Sequence, residues 1–513
     1  MALGPGTRAL LASIRAATEG AAGGSSPAAS LQAARTLAAL LNLDAQRGAQ
    51  VEAELAGVSS ADDVLPDVSR ALPGSISSGA GGGGGGSSSS LDMSRFASFL
   101  AEWLAYLASN PPVSVLIEAL GQATAPGLGG SSGALPWDVR AAYEGWSQVY
   151  SRAHLVFGLS ESYWFIPTLR WLSETLVVLG IKSDTYLRDP KQRNATDSAS
   201  RLSKSAGLAG NDRSPAPPTG EGTKRPAAMF LANQSFRAYF KLNNVRLCET
   251  VLSSVENAIK INRQAAVDAQ NGGPGRGGRK GASMADPIVL ASGPDLDELA
   301  QSGYTRADLV TYRYYLGRMR LHQHRLRAAE AELSWAFKHC TDAQPRNKRL
   351  ILIYLLTAAI PLGRLPQPGL LQAFDLDAQF LGVVQAFRRG AAQAALDALD
   401  GWREWHRRRG TYLILREKLQ IGLWRNLIRR SLILSRAYLP PSNVPPNIKF
   451  SVIAATARLA WRDDRIDETD VECITISLID QGYLKGYIHP DKGLLVLQRN
   501  DQLGFVNMRA VYQ

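Results

Sequence analysis

Cysteine is scarce in this chain, and so is histidine. Three cysteines (Cys248, Cys340 and Cys473) lie far apart in 513 residues and form no CxxC pair. Such spacing excludes a disulfide framework and a thiolate zinc cluster, and it fits a reducing compartment. Six histidines leave little general acid–base material. No HExxH, GxSxG or P-loop lysine motif occurs. The expectation is therefore a non-enzymatic chain with no cofactor and no metal. Long apolar runs are missing as well. None reaches the roughly 18 residues needed to span a bilayer, so no membrane association is expected. The first twenty residues carry Arg8 and Arg15 and no acid before Glu19. They read as a transit peptide or, in better agreement with Leu10, Leu11 and Ile14, as an amphipathic helix.

Acidic charge falls short of basic charge. Lys and Arg number 57 against 45 Asp and Glu, for a net charge of +12 and a pI near 9.6. A basic balance of this size suits a polyanion, nucleic acid first among them.

Three stretches lack core-forming residues. Residues 74–90 contain Gly81–Gly86 followed by four serines, residues 187–228 are polar, and residues 271–287 read NGGPGRGGRKGASMADP. All three are expected to be linkers or surface insertions. Within the last, Gly273-Pro-Gly275-Arg-Gly-Gly278 matches GxGxxG but follows a helix and leads into no βαβ unit, so nucleotide binding is not expected. Arg276, Arg279 and Lys280 make a weak RNA-binding loop or a solvated insertion.

The rest is helix after helix, with apolar residues near a 3.6 period. Leu91–Ser109, Trp137–Val156, Tyr163–Gly180 and Phe230–Arg263 read as helices, the last capped by Asn233 or Ser235. Leu309–His322 and Leu326–Cys340 form a helix pair in which Gly317, Ala328, Ala329 and Ala331 permit close approach. His322 and His324 sit two apart at its polar turn, a poor metal pair. Further helices run from Asn347 to Ser435. The fold expected is mainly α: a right-handed, tetratricopeptide-like helical-repeat solenoid.

After Pro440, Pro441, Pro445 and Pro446 the pattern changes. Helices at Ser451–Trp461 and Asp467–Gln481, with Ile466 as a short strand between them, precede two β-rich runs, Leu484–Ile488 and Leu494–Gln498. Helix, helix, hairpin is the order of a winged helix. The organisation expected is N-terminal helices with a Gly/Ser-rich linker over 1–90, a helical region over 91–186, a flexible polar linker over 187–228, helical repeats over 229–440 interrupted at 271–287, a winged helix over 441–500 and a tail over 501–513.

Trp402–Arg436 holds ten basic residues against Glu404 and Glu417. Arg407, Arg408, Arg409, Arg425, Arg429 and Arg430 can grip phosphate oxygens, or they can flank solenoid helices and meet an acidic partner. The recognition-like helix of the winged helix carries Glu468, Asp470, Glu472 and Asp480 and no Lys or Arg. Phosphates would repel it, so base reading in the major groove is not expected. Backbone contact is expected instead through Arg462, Arg465, Lys485, Lys492 and Arg499. Val471, Ile474 and Leu478 on that helix, and Tyr487, Ile488 and Leu495 on the hairpin, are expected to face a protein partner.

Helical repeats running into a C-terminal winged helix resemble the PCI family, named for members in the proteasome lid, the signalosome and translation initiation factor three. Tyr314–Cys340 (YYLGRMRLHQHRLRAAEAELSWAFKHC), Arg346–Leu356 (RNKRLILIYLL), Asn233–Leu252 (NQSFRAYFKLNNVRLCETVL) and Leu478–Leu497 (LIDQGYLKGYIHPDKGLLVL) are similar to the mRNA-export branch, which includes a signalosome-associated paralogue. The resemblance covers roughly residues 229–500. It implies a hetero-oligomer with a large PCI-containing export scaffold protein, braced by a small acidic proteasome-lid-type subunit, with paired winged helices offering a basic surface to RNA or DNA. It also implies a nuclear location at the envelope and pore, with some cytoplasmic protein. A structural subunit of a signalosome- or lid-like complex without nucleic-acid contact is the alternative.

Overall fold

A computed structural model describes residues 3–23, 27–72, 75–77, 90–123, 135–214, 222–270, 304–437, 445–499 and 503–511. The Gly81–Gly86 tract and the 271–287 insertion, with its GxGxxG match and Arg276, Arg279 and Lys280, lie outside the described residues. Among the described residues no helix is long and apolar enough to cross a membrane. The chain is mainly helical, with helical repeats followed by a winged helix. It divides into two compact units at Tyr312/Arg313.

The first unit begins with α1 (Pro5–Gly23), α2 (Pro27–Leu41), α3 (Ala45–Glu54) and α4 (Ala61–Ala71). Local signals set their ends. Asp44 caps α3 by accepting from the Arg47 amide at 2.8 Å, and Ser60 with Asp63 forms a capping box on α4. A short hairpin of β1 (Ser75–Ser77) and β2 (Ser90–Asp92) leads to α5 (Ser94–Ser109), α6 (Val113–Gln122), α7 (Val139–Phe157) and α8 (Ile166–Leu187). Phe96, Phe99, Trp103, Trp146 and Phe165 are fully buried between these helices, several in edge-to-face pairs.

The polar stretch expected as a linker over 187–228 is largely ordered. Arg193–Gly210 forms α9, and Ala195, Ala199, Leu202, Ala206 and Ala209 on one face are buried. The polar composition hid an inward face of small residues. Asp184 on α8 caps the helix by accepting from the Asn194 and Ala195 amides at 3.2 and 2.8 Å. A Cβ at Gly180 would lie 2.6 Å from Ser198, so the two helices approach closely at that point. The helix expected over Phe230–Arg263 is two: α10 (Arg225–Lys241) and α11 (Leu247–Gln270). Asn233 and Ser235 are buried inside α10 rather than capping it. Asn233 donates to the Asp308 carbonyl, and Ser235 donates to its own helix at Leu231. Both helices belong to the first unit, so the repeat region expected to begin at 229 is split.

The unit boundary falls inside α12 (Arg306–His322). In the second unit α12 pairs with α13 (Leu326–His339). Gly317 is required there, since a Cβ would stand 2.5 Å from Leu333. Arg313 and Glu332 form a buried ion pair at 2.5 Å across the pair, and His324 takes a left-handed conformation in the turn. Then come α14 (Pro345–Ala359), α15 (Pro368–Ala373), α16 (Asp377–Arg389), α17 (Ala392–Gly401), the short α18 (Arg403–Arg407) and the long α19 (Tyr412–Arg436). Gly390 ends α16 at φ +73°, against the backbone of Leu427.

The winged helix is β3 (Asn447–Lys449), α20 (Phe450–Trp461), α21 (Glu468–Asp480), β4 (Gly486–His489) and β5 (Leu494–Leu497), followed by α22 (Met508–Val511). The antiparallel sheet has the order β3-β5-β4. The third strand thus comes from Asn447–Lys449, not from Ile466: Ile448 is buried opposite Leu495, whereas the Ile466 amide bonds back to Asp463. The winged helix expected as a separate domain shares one core with the repeats. Leu415, Leu419, Leu423 and Leu432 of α19 join Ile448, Phe450, Ile453, Leu478 and Leu497 in a single cluster. The expected tail is part of it too: Phe505 and Met508 are buried, and Leu484 bridges to Phe505.

Candidate nucleic-acid and partner interface

The arginine-rich stretch folds as a tight turn followed by a long helix. Its anchor is His406, fully buried, with Nδ1 2.9 Å from the Thr411 hydroxyl. Burial pushes the imidazole pKa down to about 4, and the charge of Arg409 adds to the effect. With His406 turned inward, its neighbours turn outward. Arg407 and Arg408 are exposed and share Glu404, at 3.8 and 3.3 Å. Arg409 lies with its guanidinium 3.8 Å above the Trp405 ring.

On α19 the arginines divide. Arg429 and Arg430 are exposed and have no ion-pair partner among the described residues. Arg425 is a correction: its residue exposure is only 9%, it donates to the Val506 carbonyl at 2.6 Å, and it lies over the Phe505 ring. Burial lowers its pKa to about 10, and the neighbouring Arg429 charge acts in the same direction. It remains a cation, but one spent on the C-terminal segment, out of reach of a phosphate. Sequence alone did not separate it from Arg429 because both lie in one basic run; helix phase and the fold of residues 503–511 decide.

In the winged helix the basic residues lie at the surface, and several are engaged in ion pairs. Arg462 takes a left-handed conformation at the end of α20 and pairs with Asp397 of α17 at 3.1 Å. Arg465 pairs with Asp463 at 3.0 Å. Lys485 is exposed while its backbone bonds Gly504 and Gln498, and Lys492 is exposed in the turn between β4 and β5. Arg499 is exposed after β5. Lys449 was missed: it is exposed and registers against Leu494, which places it beside the wing turn. The β3 segment follows four prolines and gave no strand pattern to find it by. Helix α21 is acidic as read, and Asp467 and Asp470 are committed to a capping box.

The apolar partner residues need three corrections. Val471, Leu478 and Leu495 are 1%, 3% and 0% exposed and belong to the core. Their face of α21 points inward, because a winged helix has to bury that stripe to hold its sheet. Ile474 and Ile488 are partly buried against the same cluster. Tyr487 is exposed on the edge strand β4, as a docking residue would be. Outward apolar residues that sequence reasoning missed include Ile476 on α21, Val452 and Leu459 on α20, and Leu413 and Leu434 on α19; Leu459 is 82% exposed. They fall outside the main apolar period, and that off-phase position was the available signal.

Among the described residues no group of three or more His, Cys, Asp or Glu is placed to hold a metal.

No family model matches the chain. Individual proteins do. A PCI domain-containing protein of Schizosaccharomyces pombe is 34% identical over 285 residues, which is 55% of this chain and 55% of that protein. The PCI domain-containing protein 2 homolog of Dictyostelium discoideum is 30% identical over 300 residues, 58% of this chain and 57% of that protein. Enhanced ethylene response protein 5 of Arabidopsis thaliana is 28% identical over 355 residues, 68% of this chain and 73% of that protein. The first of these matches thus spans little more than half of its relative's length. With helical repeats that share one core with a terminal winged helix, the chain is similar over 55–58% of its length to PCI domain-containing proteins of a yeast and an amoeba.

Proposed function

We propose that the chain is a non-enzymatic scaffold subunit of a nuclear mRNA-export complex that couples transcription to export at the nuclear pore. In this reading it holds a larger PCI-containing export scaffold protein and a small acidic proteasome-lid-type subunit in a hetero-oligomer, and it touches RNA or DNA without reading sequence. It works in the nucleus, at the envelope and pore, with a share in the cytoplasm. The observation that carries the nucleic-acid part is the set of exposed cations without ion-pair partners among the described residues, Arg429 and Arg430 on α19 together with Lys492 on the wing, on a unit whose recognition-like helix is acidic. Such a surface attracts a phosphate backbone and repels the deep insertion that base reading requires. The exposed edge strand with Tyr487, and the outward Leu459 and Ile476, support a protein partner.

The test is fluorescence anisotropy of the full chain, mixed with its PCI partner, on labelled single-stranded RNA and on DNA. Binding that is independent of sequence and weakens steeply as salt rises from about 50 to 200 mM is expected. No salt-sensitive binding near about 100 mM would remove the nucleic-acid part of the proposal. Affinity purification from native extract tests the rest: recovery of an export scaffold supports it.

The pairing of Arg462 with Asp397 and of Arg465 with Asp463 favours a second reading, in which the basic residues serve internal and protein contacts only. The chain is then a structural subunit of a signalosome- or lid-like complex, and those subunits co-purify in place of the export scaffold.

A further inference from the structure

A groove of about 660 Å³ opens in the second unit between α14 and the junction of α17 with α18. Leu350, Trp402 and Trp405 supply its apolar lining, and Arg408 and Arg409 its basic lining. Trp402 is the unusual member. It is 39% exposed, and among the described residues its indole has no ring partner, whereas Trp405 is covered by Arg409 and packs edge-on against Phe380. The backbone of Trp402 is held on both sides. Its amide donates to the Leu399 carbonyl at 3.2 Å, and its own carbonyl accepts from the His406 amide at 3.0 Å. The indole therefore projects from a fixed mount, and leaving so much aromatic surface in water brings no gain to the folded chain. Charge points the same way. Glu404 is the one carboxylate in the lining, and it is shared between Arg407 and Arg408, so the groove carries excess positive charge.

We propose that this groove is a stacking site for the unpaired bases of a single-stranded nucleic acid. Trp402 supplies the π-face, Leu350 and Trp405 enclose the base, and Arg408 with Arg407 holds the flanking phosphates. A flat aromatic beside guanidinium forks tolerates any base, because every base has a π-face. A paired base has both faces covered by its neighbours in the stack, so the groove selects single strands over duplexes. The inference rests on the nucleic-acid contact proposed above and narrows it to a strand type and a residue.

The test uses the full chain with a labelled oligouridylate, an abasic oligomer of equal length and charge, and a duplex. Trp402→Ala is expected to weaken oligouridylate binding about tenfold while leaving the abasic oligomer unchanged. Trp402→Phe is expected to recover most of the loss, and oligouridylate binding is expected to quench tryptophan fluorescence in the parent. Thermal melting of each variant verifies the fold. Equal binding of oligouridylate and the abasic oligomer, or an unchanged affinity in Trp402→Ala, overturns the stacking site while leaving backbone contact intact. Failure of all three nucleic acids to bind at about 50 mM salt overturns both. Binding of a Trp-containing acidic peptide with no nucleic-acid binding assigns the groove to a protein and overturns the proposal.

Discussion

The guanidinium of Arg509 lies 3.3 Å from the carboxylate of Glu330, a side chain only 1% exposed. Glu330 also receives Arg364. The contact ties α22, near the C-terminus, to the second helix of the α12–α13 pair, with nearly 180 residues of chain between them.

This latch sets an order of effects. Glu330→Ala leaves both half-exposed arginines to solvent and is expected to cost about 1–3 kcal/mol. Arg509→Ala leaves Glu330 with Arg364 and is expected to cost less than about 1 kcal/mol. Removing residues 503–513 also uncovers the sites of Phe505 and Met508, and should cost more than either point change. Urea melts rank the three; a truncation no worse than Arg509→Ala would show that the latch, not the apolar packing, holds the segment.

His406 makes stability depend on pH. Its folded pKa is pushed down to about 4, below the ordinary value near 6.5, so the fold prefers the neutral ring. That contribution is complete above about pH 6.5 and is lost as the pH falls toward 4, by up to about 3 kcal/mol. His406→Asn should flatten this part of the curve. Melts of both proteins at several pH values between about 4 and 7.5 check it: parallel curves would contradict the assignment.

Arg425 and the pair Arg429/Arg430 should separate stability from binding. Arg425→Ala strips the Val506 carbonyl of its donor and is expected to cost about 2–3 kcal/mol, with little change in nucleic-acid affinity per folded molecule. Arg429→Ala with Arg430→Ala should leave the melting temperature within about 1 °C and lower the log–log salt slope of binding by up to about 2. An unchanged slope would remove both residues from the interface.

Leu495 and Tyr487 sit on neighbouring strands and should behave oppositely. Leu495→Ala empties a fully buried site and is expected to cost about 2–5 kcal/mol. Tyr487→Ala changes an exposed edge residue and should alter stability by less than about 0.5 kcal/mol while weakening co-purification with the PCI partner. Loss of stability in Tyr487→Ala would make that residue part of the fold instead.

Much of the fold was legible because helices and the wing turn are local. A 3.6-residue apolar period, prolines at 440–446 and the Gly482 stop after α21 mark element type without reference to partners. The acidic character of α21 is likewise a property of sequence, and with it the case against base reading. Arg193–Gly210 was not legible. Its buried face is mostly Ala and Ser, and its first turns are received by Gly180 and Asp184 on the preceding helix.

Sequence by itself determined the helical class, the winged helix, the basic balance and the concentration of arginine at 403–436. Tertiary structure decided which members of those sets face water. It turned Val471, Leu478 and Leu495 inward, spent Arg425 on Val506, and left Arg429, Tyr487 and Trp402 outside. The reason is geometric. A periodic pattern marks a stripe, but only the elements packed against that stripe, often from more than 80 residues away, decide whether it is core or surface.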